Sequence, residues 1–345
     1  MDTKSGRVLG MTGSYNSNSV PQLNVIQSSI SFIQKAIDVL DIVPSFFPIM
    51  IADFGSSHGG NSNYAMKIII NYIKHIKQTN QSFLIIHNDL PTNDWISLFD
   101  SLNEDKTYFG LANGRSFYEQ CLPTNSLTIA YSSMSIHWLS RKPCNLSNHC
   151  LPRFAQGAEL IAFKTQAAND YAQFLENRSR ELMRGGVLIL SILSADKEGK
   201  TLAHNVNNHL YKCAQLIAVN EEELLDYTIP LYHRTYEECL NEELFKRCSL
   251  QLIESDFHIV ESKFDQEFQH GKITLEEFLQ MHIGYQRSWG ESILRQALEM
   301  NEKRSKEEID QVLDRFWLIY KDGMKENSTE YKTGYYQTYL VLKKL

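Results

Sequence analysis

Two acidic side chains, each at the end of a short apolar run, are the first candidates for chemistry. Asp53 closes "IMIAD" and Asp89 follows "FLIIHN". Between them, Gly55-Ser56-Ser57-His58-Gly59-Gly60-Asn61-Ser62 makes a glycine-bearing loop ahead of an apparent helix. In a sheet with parallel strands, ligands sit beyond the strand ends, where loop backbone can approach them closely. The spelling of the loop selects among ligands. Gly55 and Gly60 have phosphate-loop spacing, but Asn61 stands where the lysine for the terminal phosphates is required. Ser57 occupies the second glycine of a dinucleotide fingerprint, where backbone must come close to pyrophosphate, which leaves NAD or FAD a weak candidate. "DFG" has no H-R-D partner, so a kinase lacks its base. S-adenosylmethionine carries no phosphate and meets neither objection. It needs a close-approaching glycine loop for its amino-acid end and a carboxylate after the next strand for its ribose, and Asp89 is that carboxylate. "NDLP" is also a turn and helix N-cap, a structural reading of Asp89 that stands beside the functional one.

The elements that must position these groups follow from hydrophobic periodicity. Apolar runs at Ile49–Phe54, Phe83–His87, Leu127–Tyr131 and Val187–Leu193 read as buried strands, and Ser62–Lys77 and Ala158–Met183 carry helical spacing. That alternation predicts a parallel α/β sheet. Arg184-Gly185-Gly186 reads as a helix stop, with glycine taking the left-handed turn past the helix end. Beyond Leu193 the text is mostly helical, including Asn220–Asp226, Leu275–His282, Trp289–Met300 and Lys306–Lys321. Strand-like "FHIVESKF" (Phe257–Phe264) and a final alternating run from Tyr335 interrupt it. The expectation is one domain over residues 1–345, its sheet completed by late strands, with helical insertions near 200–256 and 265–330 capping the ligand edge.

Composition excludes several classes. A formal charge of −7 and the lack of a basic cluster argue against nucleic-acid binding; Lys303-Arg304-Ser305-Lys306 is diluted by Glu302, Glu307 and Glu308. No signal-peptide pattern and no run of about 18 apolar residues is present, so no membrane association and a cytoplasmic location are expected. The six cysteines are scattered without a C-x-x-C pair, as free thiols in a reducing compartment would be. Cys144, His149 and Cys150 have the wrong spacing for a zinc knuckle.

Four stretches carry a family resemblance. Ala52–Asn61 is similar to "ADLGCSSGPN", Asn88–Trp95 to "NDLPGNDF", Arg115–Pro123 to "GSFYxRLFP", and Ser132–Pro143 to "SSYSLHWLSxxP". In that order and spacing the chain resembles the SABATH family of S-adenosylmethionine-dependent carboxyl methyltransferases, which methylate small acids such as salicylate and jasmonate and, in some members, xanthine nitrogens. The likeness is best over residues 11–195 and looser to the end. It implies a Rossmann-like class I methyltransferase fold, mostly parallel with a helical cap over the acceptor site, and S-adenosylhomocysteine as the second product. Implied cofactor contacts are Asp53, Gly55, Ser56 and Asn61 around the loop, Asp89 and Leu90 at the ribose, and Ser116 and Phe117 at the adenine. Gln27, His137 and Trp138 are the implied acceptor-positioning residues, with Met134 in the substrate pocket. Met134 replaces the tyrosine of "SSYS"; Thr12 and Val20 stand where some members have an acceptor-contacting lysine and a tyrosine, and His58 and Gly60 replace serine and proline. The resemblance also implies a homodimer and leaves magnesium open.

The leading expectation is therefore a methyltransferase making the methyl ester of a small carboxylic acid. N-methylation of a purine-like heterocycle, with His137 as base, and a noncatalytic small-molecule binder on the same fold are the alternatives. A nicotinamide oxidoreductase is the outsider.

Overall fold

The structure is a computed structural model of the 345-residue chain and describes residues 8, 10–11, 15–42, 46–103, 106–300, 303–326, 328–331 and 334–345. Its strands are β1 (Ile49–Phe54), β2 (Phe83–Asp89), β3 (Phe109–Gly114), β4 (Leu127–Ser133), β5 (Leu182–Ala195), β6 (Arg234–Thr235), β7 (Leu250–Glu261) and β8 (Gly334–Lys344). They form one sheet in the order β3-β2-β1-β4-β5-β8-β7, with β6 beside β5. The first five are parallel to their neighbours, and β8 and β7 complete the sheet antiparallel. Strand order reverses between β1 and β4, which is where open α/β sheets leave a crevice for ligands.

The helices are α1 (Tyr15–Asn18), α2 (Val20–Ser28), α3 (Ile30–Val39), α4 (Gly60–Lys77), α5 (Trp95–Asn103), α6 (Gly157–Glu181), α7 (His204–Leu216), α8 (Glu221–Asp226), α9 (Tyr236–Cys239), α10 (Glu242–Arg247), α11 (Lys263–Gln269), α12 (Leu275–Met300) and α13 (Lys306–Glu326). Because both faces of the sheet are covered, its central strands β1, β2 and β4 are buried along nearly their whole length and carry apolar runs rather than an alternating pattern. Ile51, Ile129, Ile189 and Val341 enter a core shared with α2, α3 and α4. Their neighbours Ala52, Ala130, Leu188 and Leu340 enter the opposite core, with Phe174 and Leu175 of α6. A third core joins α7, α12 and α13 with Ile229 and Leu231, so the late helices pack among themselves above the sheet. Among the described residues, no helix is long and apolar enough to cross a membrane.

Several boundaries differ from those expected. The sheet gains β3, whose glycine-rich, exposed sequence "FGLANG" lacks an apolar pattern because it lies on the edge. α6 ends at an extended Leu182 and the strand begins there; Gly185, at φ +80°, sits inside β5 against Asp41 rather than capping the helix. β7 starts at Leu250, seven residues before the strand-like run, since its half-exposed edge mixes polar and apolar residues. The two expected helices Leu275–His282 and Trp289–Met300 are one helix, α12. Gly284 within it lets α1 approach: a Cβ there would meet Asn18 Oδ1 at 2.1 Å.

Candidate active site

Two adjoining cavities, of about 100 and 80 Å³, open at the carboxyl ends of β1, β2 and β4. Met11, Tyr15, Gln22, Met134 and Trp138 line both and so mark the junction between them.

The first cavity is built by the loop after β1. Its backbone is strained into place: Gly55 has φ +100°, Gly59 +91° and Ser57 +49°. At Gly55 a side chain is excluded, because a Cβ would lie 2.1 Å from Ser135 Oγ. The loop is tied to the end of β2 by Gly55 N and Ser56 N donating to Asn88 O at 2.9 and 3.0 Å. Asp89 accepts from Ser57 N on one carboxylate oxygen (2.7 Å) and from Leu90 N on the other (2.8 Å). Each oxygen thereby keeps a lone pair for a ligand. Burial raises the Asp89 pKa, opposed by those two N–H groups and by His58. Asp53, 4% exposed, is pushed up to about 7 by burial, with a hydrogen bond from Ser62 opposing and the Asp89 charge adding to the rise.

Across the cavity, the loop bearing Ser116 and Phe117 hangs from a fully buried ion pair. Arg178 Nε meets Glu181 Oε2 at 2.7 Å, while its other nitrogens donate to Phe117 O (2.6 Å) and Glu119 O (2.9 Å). Glu181 Oε1 accepts from Leu122 N at 3.0 Å. The pair therefore fixes the Phe117 ring through the backbone behind it.

The second cavity has an aromatic wall of Trp138, Tyr285, Trp289, Tyr335 and Tyr336, with His137 and His233 beside it. The segment carrying His137 and Trp138 leaves β4 through Met134, a non-glycine residue at φ +54° whose sulfur accepts from Gln337 Nε2 at 2.9 Å. Three successive carbonyls of that segment are held: Ile136 O by Arg234 (2.7 Å), His137 O by Tyr232 N (2.8 Å) and Trp138 O by Tyr118 OH (2.5 Å). The imidazoles of His137 and His233 stack at 6.0 Å. Burial, then His233 and Arg234, lowers the His137 pKa well below the ordinary value, so the ring is neutral at pH 7. No Lys, Arg, Asp or Glu is among the described residues lining this cavity. Four buried polar atoms on its wall have no hydrogen-bond partner among the described residues: Gln22 Oε1, His137 Nδ1, Gln286 Oε1 and Trp289 Nε1. Buried polar groups are rarely left so, and their convergence on one cavity fits a ligand that would pair them.

The structure gathers Asp53, Gly55, Ser56, Asn61, Asp89, Leu90, Ser116 and Phe117 on the first cavity, Met134 and Trp138 at the junction, and His137 on the second. Gln27 is the correction. It points to solvent from α2, and Gln22 faces the cavities instead. Five residues at 3.6 per turn place the two glutamines on widely separated faces of that helix. Thr12 lies outside the described residues, and Val20 heads α2 without lining either cavity. Sequence reasoning missed Tyr15, Gln22, Gln286, Trp289 and the Arg178–Glu181 pair; helical phase on α2 was the one available signal for Gln22. The first cavity fits S-adenosylmethionine by its donor set: two carboxylates, a close backbone approach at Gly55, an aromatic face and, among the described residues, no Lys or Arg that a phosphate would call for. Among the described residues no three His, Cys, Asp or Glu side chains converge on a metal position, and His149 packs on Phe154 at 3.8 Å.

The family model described as SAM dependent carboxyl methyltransferase matches residues 9–345. Loganic acid O-methyltransferase of Catharanthus roseus is 29% identical over 252 residues, covering 65% of this chain and 68% of that protein. The S-adenosyl-L-methionine:benzoic acid/salicylic acid carboxyl methyltransferase 3 of Petunia hybrida is 32% identical over 221 residues, covering 56% of this chain and 61% of its own length. A solved structure of loganic acid methyltransferase with SAH shares the fold, with a TM-score of 0.78 over 97% of this chain and 98% of that one at 24% identity.

Proposed function

The chain belongs to the SAM-dependent carboxyl methyltransferase family, and from that premise we propose that it converts a small, largely apolar carboxylic acid to its methyl ester where the two cavities meet. The observation that carries the reading is the charge arrangement. One cavity holds two carboxylates and no described cation; its neighbour is lined by neutral groups alone among the described residues.

S-adenosylmethionine, when bound, supplies an electrophilic methyl group on a positively charged sulfur. Asp53 and Asp89 complement a cationic, phosphate-free ligand, and the free lone pairs of Asp89 suit the two hydroxyls of a ribose. Phe117 offers a face on which a purine can stack.

On the acceptor side, a carboxylic acid is already ionised at pH 7, so the residues need only hold one oxygen in line. The Gln22 amide and the Trp138 indole N–H stand at the junction and can do that; His137 stands further in. Their neutrality has a physical consequence. Opposite charges disappear as the ester forms, and a fixed lysine would hold the anion more tightly than the charge-dispersed transition state. Neutral donors in an apolar cavity avoid that loss. The net charge of −7 supports a function without nucleic acid; a homodimer, which rests on the resemblance, and a cytoplasmic location are part of the same proposal.

The test is transfer of label from methyl-labelled S-adenosylmethionine to pooled small carboxylic acids, with the organic extract counted before and after mild alkali. Alkali-labile label is the expected result. Alkali-stable label on a heterocycle would replace the reading with N-methylation, and absence of transfer despite cofactor binding would leave a silent binder.

A further inference from the structure

The second cavity is not uniformly apolar, and its unpaired groups are not spread at random. Gln286 and Trp289 lie three residues apart on α12, which puts them side by side on one helix face. Gln286 is 2% exposed. Its Oε1 and the Nε1 of Trp289 are both buried and without a hydrogen-bond partner among the described residues. Both side chains line the second cavity and neither lines the first, whereas Gln22 and Trp138 line both. An acid whose carboxylate is held at the junction therefore directs its other end toward the α12 pair.

We propose that the acceptor is a hydroxy acid whose hydroxyl, remote from the carboxyl group, seats between Gln286 and Trp289, and that these two residues set acceptor choice. The chemistry matches on both sides: a hydroxyl donates to the Gln286 carbonyl oxygen and accepts from the Trp289 indole N–H. An unsubstituted acid leaves both groups buried and unpaired. The aromatic rings that frame the pair, Trp138 at 6.3 Å and Tyr285 at 6.5 Å from Trp289, suit a cyclic or planar skeleton between the two polar ends. The inference rests on the carboxylate reading above and narrows it to a substrate class.

The test uses matched acids, each ring acid beside analogues carrying one hydroxyl at successive positions away from the carboxyl, with methyl-labelled S-adenosylmethionine and the wild-type enzyme. Two buried groups left unpaired predict a preference in kcat/KM of about 30-fold or more for the best hydroxylated analogue over its parent. In Trp289→Phe and Gln286→Leu that ratio shrinks toward one. The ligand-free Gln286→Leu variant melts no lower than wild type, because an apolar replacement of similar size removes an unsatisfied group. Equal use of parents and analogues, or a preference that survives both substitutions, overturns the inference while leaving carboxyl methylation intact. No transfer to any acid, with S-adenosylhomocysteine binding confirmed by its effect on melting, overturns the carboxylate reading and this inference with it.

Discussion

Replacing Asp53 with asparagine should make the ligand-free protein more stable and the cofactor complex weaker. Asp53 is buried beneath the first cavity, and burial, with the Asp89 charge adding and the Ser62 hydrogen bond opposing, pushes its pKa up to about 7. In the unfolded chain a carboxyl of this type titrates near ~3.9. Between those values the native state holds a proton that the unfolded state has released, so stability falls as pH rises through the window and the full penalty is present above it. About three units at 1.36 kcal/mol each give roughly 4 kcal/mol. The neutral amide of Asp53→Asn would carry no such penalty. For a chain of 345 residues this corresponds to about 5 °C in Tm at pH 8 and almost no difference at pH 4. Cofactor affinity should move the other way, by about 10- to 100-fold, from loss of one charge-assisted interaction. A cationic ligand should also displace the proton near neutral pH, which calorimetry in two buffers of different ionisation enthalpy reads as proton release. The assay is a melting curve from pH 4 to 8 for both proteins, with and without S-adenosylmethionine. If the variant melts no higher than wild type at pH 8, or the gap does not close toward pH 4, the reasoning about Asp53 is wrong.

Three further outcomes follow from the same geometry. Asp89→Asn should weaken S-adenosylhomocysteine binding by about 100-fold or more by calorimetry, because an amide lacks the charge and turns an N–H toward the Ser57 or Leu90 donor. Gln22→Leu should raise the acceptor KM at least about fivefold, from one lost hydrogen bond, whereas Gln27→Leu should leave it within experimental error; the reverse pattern would contradict the orientation of α2. Since burial, His233 and Arg234 hold the His137 pKa well below the ordinary range, kcat/KM for a carboxylic acid should show no inflection from His137 between pH 6 and 8. An inflection near ~6.5 that disappears in His137→Gln would show that the ring titrates after all.

The sheet could be read from the sequence where burial on both faces made the strands continuously apolar, as in β1, β2, β4 and the centre of β5. It could not be read at β3 or the first half of β7, where edge positions face solvent and the apolar pattern breaks down. The first cavity was legible because backbone conformation dictates its spelling: Gly55 cannot carry a Cβ, and Asp89 must end β2 to receive the loop N–H of Ser57. The second cavity was legible only where it adjoins that loop, at Met134, His137 and Trp138. Its remaining wall comes from α1, α2, β5, α7, α12, β8 and the segment at Leu231 and His233, dispersed along the sequence, and which face each presents depends on tertiary packing. Gln27 illustrates this: residue type and position in the resemblance pointed to it, and the phase of α2 turned it outward. Arg178 and Glu181 acquire their role through carbonyl and N–H groups about sixty residues earlier, a relation that local pattern does not encode.

The measurement that most directly tests the account is a crystal structure of the protein with S-adenosylhomocysteine and an acid that the labelling assay identifies. The account predicts the ribose against Asp89, the adenine against Phe117, and a carboxylate oxygen facing the sulfur at the junction of Met134, Gln22 and Trp138. An acid bound outside the second cavity, or a cofactor whose sulfur faces away from that junction, would contradict it.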